Sequence, residues 1–260
     1  MQNNRPIGFF DSGVGGLSIL KEVKRLLPQE NIIFFADQKN FPYGKKTEQE
    51  LNTITKKIAD FLMSYDIKIL VIACNTATCY SLKYLRSKFK IPIIGVVPAI
   101  KPAAQRSRSA KIAILSTPAT SSSAYLKDLI KEFAADVNVL NISCGGLEEA
   151  IEDSNHKTIA HLVSNYSKKI KNFGADVVVL GCTHYPIVKD KFKELVDPDT
   201  KLVDSASSVA KRLKELLKIS GSYSNSKADD LYFTTSNAQK FSEISSSILN
   251  FQILAKEVAI

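Results

Sequence analysis

The chain has 260 residues, 45% of them hydrophobic and 23% charged, with a formal net charge of +9. This length fits two ordinary domains or one large one, and the apolar fraction excludes a disordered chain. No apolar run is long enough to span a bilayer, and the basic residues are spread over the polar sides of helical patterns such as "KEVKRLL" and "KRLKELLK", so neither a membrane nor a nucleic acid is an expected partner.

The opening stretch "MQNNRPIGFFDSG" lacks the basic and apolar regions of a signal peptide, so a cytoplasmic chain is expected. With six residues before the first strand, an added N-terminal regulatory module is not expected. Strands are then read at "IGFF", "IIFFA", "KILVIAC" and "IPIIGVV", and again at "KIAILS", "VNVLNIS", "DVVVLGC" and "KLVD". Helical patterns lie between them, the signature of parallel strands with crossover helices. In the first helix Leu17, Leu20, Val23 and Leu27 share a face, Ser12 is the expected N-cap and Pro28 the stop.

Pro98 and Pro102 mark where the chain leaves its first half, and a second crossing is read near "VDSASSV". The segment from "DDLYFTTSNAQKF" onward is expected to return to the first half. The expected fold is α/β: two pseudosymmetric doubly wound domains, 1–97 plus 208–260 and 98–207, with mainly parallel sheets facing a central cleft. Only "SGSYSNSKADD", residues 220–230, reads as a mobile surface loop.

"VIACNTAT" and "VVVLGCTHY" both end a buried strand on a cysteine followed by hydrogen-bonding side chains. Ligands of open parallel sheets sit beyond the carboxyl ends of the strands, where Asp11, Ser12, Asp37, Cys74, Asn75, Thr76, Thr117, Cys182, Thr183 and His184 all fall. One thiol on each wall of a cleft suits inversion of a carbon centre, one sulfur taking a proton and the other giving one. Both cysteines are read at strand-to-helix junctions, where a helix start or a neighbouring base favours the thiolate. Asp11 and His184 are the side chains expected to orient the two thiols or exchange protons with them.

Competing readings are weaker. Cys79 and Cys144 are taken as small buried hydrophobes, and a disulfide framework is not expected. "CNTATC" and "CTH" lack paired metal-ligand spacing and the chain has only three histidines, so no metal is expected. "DSGVGG" has two of the three glycines of a dinucleotide loop, but Ser18 takes the place of the third and Asp11 would repel a pyrophosphate. With Asp37 as a ribose-binding acid, a nicotinamide enzyme is the remaining alternative of that kind. Helix-start N–H groups can instead hold carboxylates, and Thr117 and Thr120 in "STPATSSSAY" offer a second such place. "FPYGKK" supplies a turn, and His156 and His161 are read as surface or packing residues.

"FDSGVGG", "PYG", "ACNTAT" and "GCTHYP", in this order, together with "LVDSA" and "YFTTSNAQKF", resemble the glutamate racemases, cofactor-independent enzymes of bacterial peptidoglycan synthesis. The resemblance spans nearly the whole chain. It implies interconversion of L- and D-glutamate with Cys74 and Cys182 as the acid/base pair, assisted by Asp11, His184 and Glu152, and without cofactor. Asp11, Ser12, Pro42, Tyr43, Gly44, Asn75, Thr76, Thr117, Thr120, Thr183 and His184 then contact substrate, and a homodimer is implied. Related aspartate racemases have Glu at the position of His184, so His184 favours glutamate. Two segments depart from the family's pattern: "ADQKNF", which retains only Asp37, and "CGGLEEAIE", where the family reads Cys-Pro and then Phe-Val-Pro. The other function classes are a racemase of aspartate or a related acid, and a non-catalytic amino-acid sensor or basic nucleic-acid binder.

Overall fold

Runs such as Ile32–Ala36 and Val177–Leu180 are buried along their whole length, as parallel strands covered on both faces require. The computed structural model describes residues 3–260, so the first two residues of the stretch read for a leader lie outside it. Its strands are β1 (Ile7–Asp11), β2 (Ile32–Ala36), β3 (Ile69–Ile72), β4 (Ile93–Gly95), β5 (Lys111–Ser116), β6 (Asn138–Ser143), β7 (Val177–Leu180), β8 (Lys201–Val203), β9 (Leu231–Thr234) and β10 (Ala255–Glu257). Its helices are α1 (Leu17–Leu26), α2 (Glu48–Met63), α3 (Asn75–Lys88), α4 (Ile100–Arg106), α5 (Pro118–Ser122), α6 (Ala124–Phe133), α7 (Leu147–Glu152), α8 (His156–Phe173), α9 (Lys189–Leu195), α10 (Ala206–Ser220) and α11 (Ala238–Leu249). Among the described residues no helix is long and apolar enough to cross a membrane.

The chain folds as two compact units. One runs to Val96 and resumes with Ala206–Ile260, and the other is Val97–Ser205. In the first unit the sheet order is β10-β9-β2-β1-β3-β4, and in the second it is β6-β5-β7-β8. Every pairing is parallel. The order β2-β1-β3-β4 is thus repeated as β6-β5-β7-β8, which is the four-and-four repeat read from the apolar runs.

β9 and β10 were not expected as strands. They extend the first sheet beyond β2, with Phe35 beside Phe233 and Tyr232 beside Ala255. "AKE" is a short, exposed edge strand without a periodic apolar signal, so its pairing depends on β9 rather than on its own sequence.

Each sheet is covered on both faces. In the first unit Leu51, Ile58 and Leu62 of α2 and Ala77 and Leu85 of α3 share a core with Phe10, Phe35 and Ile72. α1 packs with α10 and α11. In the second unit Ile159, Val163 and Ile170 of α8 meet Ala113, Leu115 and Val178, while Ile100, Ala103 and Leu126 cover Ile112, Ile114 and Val179 on the opposite face.

Two local expectations are corrected. Ser12 does not cap α1: the helix starts at Leu17, after Gly16, which has no side chain to cap it. Pro102 lies in the first turn of α4, where its missing N–H is not needed. The polar stretch 220–230 is anchored. Lys68 Nζ lies 2.6 Å from Glu30 Oε2 with both side chains buried, and it donates to Ser222 O at 2.8 Å and Ser224 Oγ at 3.1 Å. Ser224 N donates to Glu30 Oε1 at 3.0 Å. Burial lowers the Lys68 pKa below the ordinary lysine value, and Glu30 opposes that shift.

Candidate active site

Both units put their polar residues at the same topological place, the carboxyl end where the first and third strands of the repeat lie side by side. In the first unit Ala73 N donates to Phe10 O at 2.8 Å, and Cys74 follows. In the second, Gly181 N donates to Leu115 O at 2.7 Å, and Cys182 follows. Each cysteine therefore stands one residue past the last ladder bond of its third strand. Gly181 is required there: a Cβ on it would lie 2.8 Å from the Leu115 carbonyl oxygen.

In the first unit Cys74 is the N-cap of α3, and its side chain makes no capping hydrogen bond. The helix N-terminus favours a thiolate at this position. Ser12 Oγ lies 3.9 Å from Cys74 Sγ and 3.2 Å from Asp11 Oδ1. Gly13 N donates to Asp11 Oδ1 at 2.9 Å, which fixes the carboxylate at the end of β1. Gly16 allows the loop to fold this tightly, since a Cβ there would lie 2.8 Å from Asp11 Cβ and 3.0 Å from Ala73 Cβ. Asn75 and Thr76 open α3 and are buried beside the thiol in sequence.

Asp37 is not placed as a ribose-binding acid. It is fully buried and accepts from Tyr43 OH at 2.7 Å, from Asn40 Nδ2 at 3.0 Å and from Thr235 Oγ1 at 2.9 Å. It therefore ties the Pro42-Tyr43-Gly44 turn to the end of β2 and to the residue following β9. Burial and then the Asp37 charge push the Tyr43 pKa well above its ordinary value, so its hydroxyl remains a donor.

In the second unit the local solution differs. Cys182 is not at the start of a helix, contrary to expectation: a 3₁₀ turn over Tyr185–Val188 intervenes before α9. Its thiol instead meets side chains. His184 Nδ1 lies 3.8 Å from Cys182 Sγ, and His184 Nε2 lies 2.8 Å from Glu152 Oε2. With Nε2 donating to Glu152, the Nδ1 lone pair is directed at the thiol. Glu152 ends α7 and Glu148 lies one turn earlier on the same side of the helix. The thiol also donates to Glu148 Oε2 at 3.9 Å.

Of the hydroxyl cluster at 117–123, part serves structure. Ser123 caps α6 and Ser121 Oγ donates to Asn141 Oδ1. Thr117 and Thr120 are buried at the end of β5, where Thr117 caps α5 and the two hydroxyls lie 3.1 Å apart. Cys144 is fully buried and burial raises its pKa, whereas Cys79, expected to be buried too, is only half-buried. His156 and His161 are exposed on α8. Among the described residues one group has ligand atoms close enough to hold a metal ion, Glu148, Cys182 and His184.

The family model described as Asp/Glu/Hydantoin racemase matches residues 15–213. A glutamate racemase from Roseiflexus is 42% identical over 224 residues, 85% of this chain and 82% of that protein. The chain belongs to the Asp/Glu/Hydantoin racemase family. Another glutamate racemase, from Clostridium botulinum, is 40% identical over 84% of the chain and 85% of its own length. Among solved structures, a Bacillus anthracis glutamate racemase isoform matches with a TM-score of 0.90 and 28% identity, covering 100% of this chain and 99% of that one. The Escherichia coli glutamate racemase, solved with L-glutamate and an activator, matches at 0.86 and 31%, covering 98% and 99%. Family membership makes the chain an isomerase.

Within this racemase fold, two residues carry more than the sequence revealed. Glu148 was not singled out, although Glu148 and Glu152 in "LEEAIE" are four residues apart, the spacing that puts two carboxylates on one helical face. Asp37 was noticed for the wrong role, because its partners Tyr43 and Thr235 are brought together only by the β2–β9 pairing.

Proposed function

We propose that this racemase interconverts L- and D-glutamate, with Cys74 and Cys182 as its two acid/base groups. The observation that carries the reading is the repeated register of the two thiols, each two residues beyond the third strand of its unit and one past its last ladder bond. One sulfur, as thiolate, takes the Cα proton: an S–H bond forms, the Cα–H bond breaks, and the electron pair passes into the α-carboxylate. The other thiol gives its proton to the opposite face of Cα and becomes the thiolate, so charge and protons balance and the next turnover runs in reverse. Both proton steps are supplied by the chain, and the reading calls on no cofactor.

The remaining roles follow the chemistry of each place. Backbone N–H groups at the α3 start, with Asn75 and Thr76, hold the α-carboxylate and stabilise the charge that develops on it. Thr183, His184, Thr117 and Thr120, and the Pro42-Tyr43-Gly44 turn, contact substrate. Asp11 with Ser12 serves Cys74, and His184 with Glu152 serves Cys182. Solved relatives carry L-glutamate in one case and D-glutamate in another, which supports glutamate as the substrate here. A cytoplasmic site of action, supply of D-glutamate for peptidoglycan, and a homodimer belong to the same proposal.

Incubation with either enantiomer in deuterated buffer tests it. Loss of optical activity with deuterium entering at Cα is expected from both sides, and absence of exchange in either direction rejects the reading. Cys74→Ala should cripple proton abstraction from one enantiomer and Cys182→Ala from the other.

A further inference from the structure

We propose that Glu148, Cys182 and His184 form an inhibitory site for a zinc-type divalent cation in the second unit. The three side chains are buried, and their ligand atoms lie within 4.8 Å of one another. Cys182 Sγ is 3.9 Å from Glu148 Oε2 and 3.8 Å from His184 Nδ1. Tetrahedral zinc, with bonds of roughly 2.3 Å to sulfur and 2.0–2.2 Å to nitrogen or oxygen, needs neighbouring ligand atoms about 3.6 Å apart. The two pairs that include the sulfur therefore need a contraction of only a few tenths of an ångström.

The surroundings suit the ion as well as the spacing does. Glu152 holds His184 Nε2 at 2.8 Å while Nδ1 faces Cys182 Sγ, the carboxylate–histidine arrangement that orients an imidazole on a metal. Thiolate and carboxylate carry two negative charges that a divalent cation neutralises. Three protein ligands leave the fourth position to water. On binding, a metal–sulfur bond forms, the S–H bond breaks, and the proton leaves to solvent. The metal-bound sulfur shares its charge with the cation and is a much weaker base towards the Cα proton. The third ligand, Glu148, comes from the segment "CGGLEEAIE".

The binding claim stands apart from the racemisation reading, and only inhibition rests on it. The full chain is titrated with cobalt(II), whose thiolate complexes show a charge-transfer absorption, and then with zinc in competition. A thiolate-to-cobalt band with about one equivalent bound, displaced by zinc, is expected. The band should vanish in Cys182→Ser, persist in Cys79→Ala, and form at least tenfold more weakly in Glu148→Gln. A band that survives in Cys182→Ser, no thiolate band at all, or unchanged affinity in Glu148→Gln overturns the site. Where racemisation is present, zinc should suppress it and a chelator restore it. Activity unmoved by zinc at full occupancy overturns the inhibitory role. A protein that binds cobalt as expected but never racemises glutamate refutes the substrate reading and leaves the site standing.

Discussion

His184 Nε2 lies 2.8 Å from Glu152 Oε2, with the histidine 1% and the glutamate 8% exposed at the side chain. The pair is thus buried beside Cys182, with His184 Nδ1 3.8 Å from its sulfur. Glu152→Gln is expected to lower kcat by about tenfold or more, with KM changed less, because a correctly oriented proton carrier contributes in the transition state. His184→Asn should do at least as much. The double variant should be little worse than His184→Asn alone, since partners in one hydrogen-bonded unit are not additive. Initial rates by circular dichroism in both directions measure all three.

Asp37 is a buried carboxylate with three side chains donating to it. Asp37→Ala leaves those donors without their acceptor and is expected to cost about 2–4 kcal/mol. Tyr43→Phe removes one bond and should cost about 1–3 kcal/mol. Urea unfolding gives the stabilities. If the turn is part of the substrate site, the surviving folded Tyr43→Phe protein should also show a raised KM.

Asp176 predicts a stability change at acid pH. Burial would raise its pKa, but hydrogen bonds from Ser107 Oγ and from the Ser109 and Arg108 N–H groups outweigh that and hold it at about 2, against an ordinary 3.8. The folded value is depressed, so the stabilisation is fully present above the unfolded value near 4 and is lost as pH falls towards 2. After solvent screening it amounts to about 1–2 kcal/mol. Asp176→Asn should be less stable than the parent at neutral pH, and the gap should close by pH 2 in thermal unfolding.

Gly16→Ala should damage the first unit. The new methyl meets Asp11 Cβ and Ala73 Cβ, atoms fixed to their backbones, so the loop or the strand end must shift. A loss of about 1–3 kcal/mol is expected. If Asp11 and Cys74 act as proposed, turnover falls even in protein that remains folded, which initial rates at low temperature would reveal.

The eight fully or partly apolar runs made the core strands legible, because parallel strands covered on both faces carry no polar alternation to confuse the reading. The placement of Cys74 and Cys182 just past two buried strands was legible because their surroundings repeat along the chain. β10 was not, being three residues of "AKE" at an exposed edge. Glu148 was hidden by distance: it reaches Cys182 from 34 positions upstream, through the packing of α7 against the turn after β7. The anchoring of residues 220–230 was hidden in the same way, since composition describes a polar segment but not the buried Lys68–Glu30 pair that fastens it.

The split layout of the first unit sets an order of events during synthesis. Val97–Ser205 is one uninterrupted piece, so it can be finished while β9 is still unmade. Until Leu231–Thr234 emerges, β2 has an open edge, and Asp37 lacks the Thr235 hydroxyl. A ribosome stalled before those residues would therefore release a protein whose second half is mature and whose first half is an adhesive, half-built sheet, a natural client for chaperones.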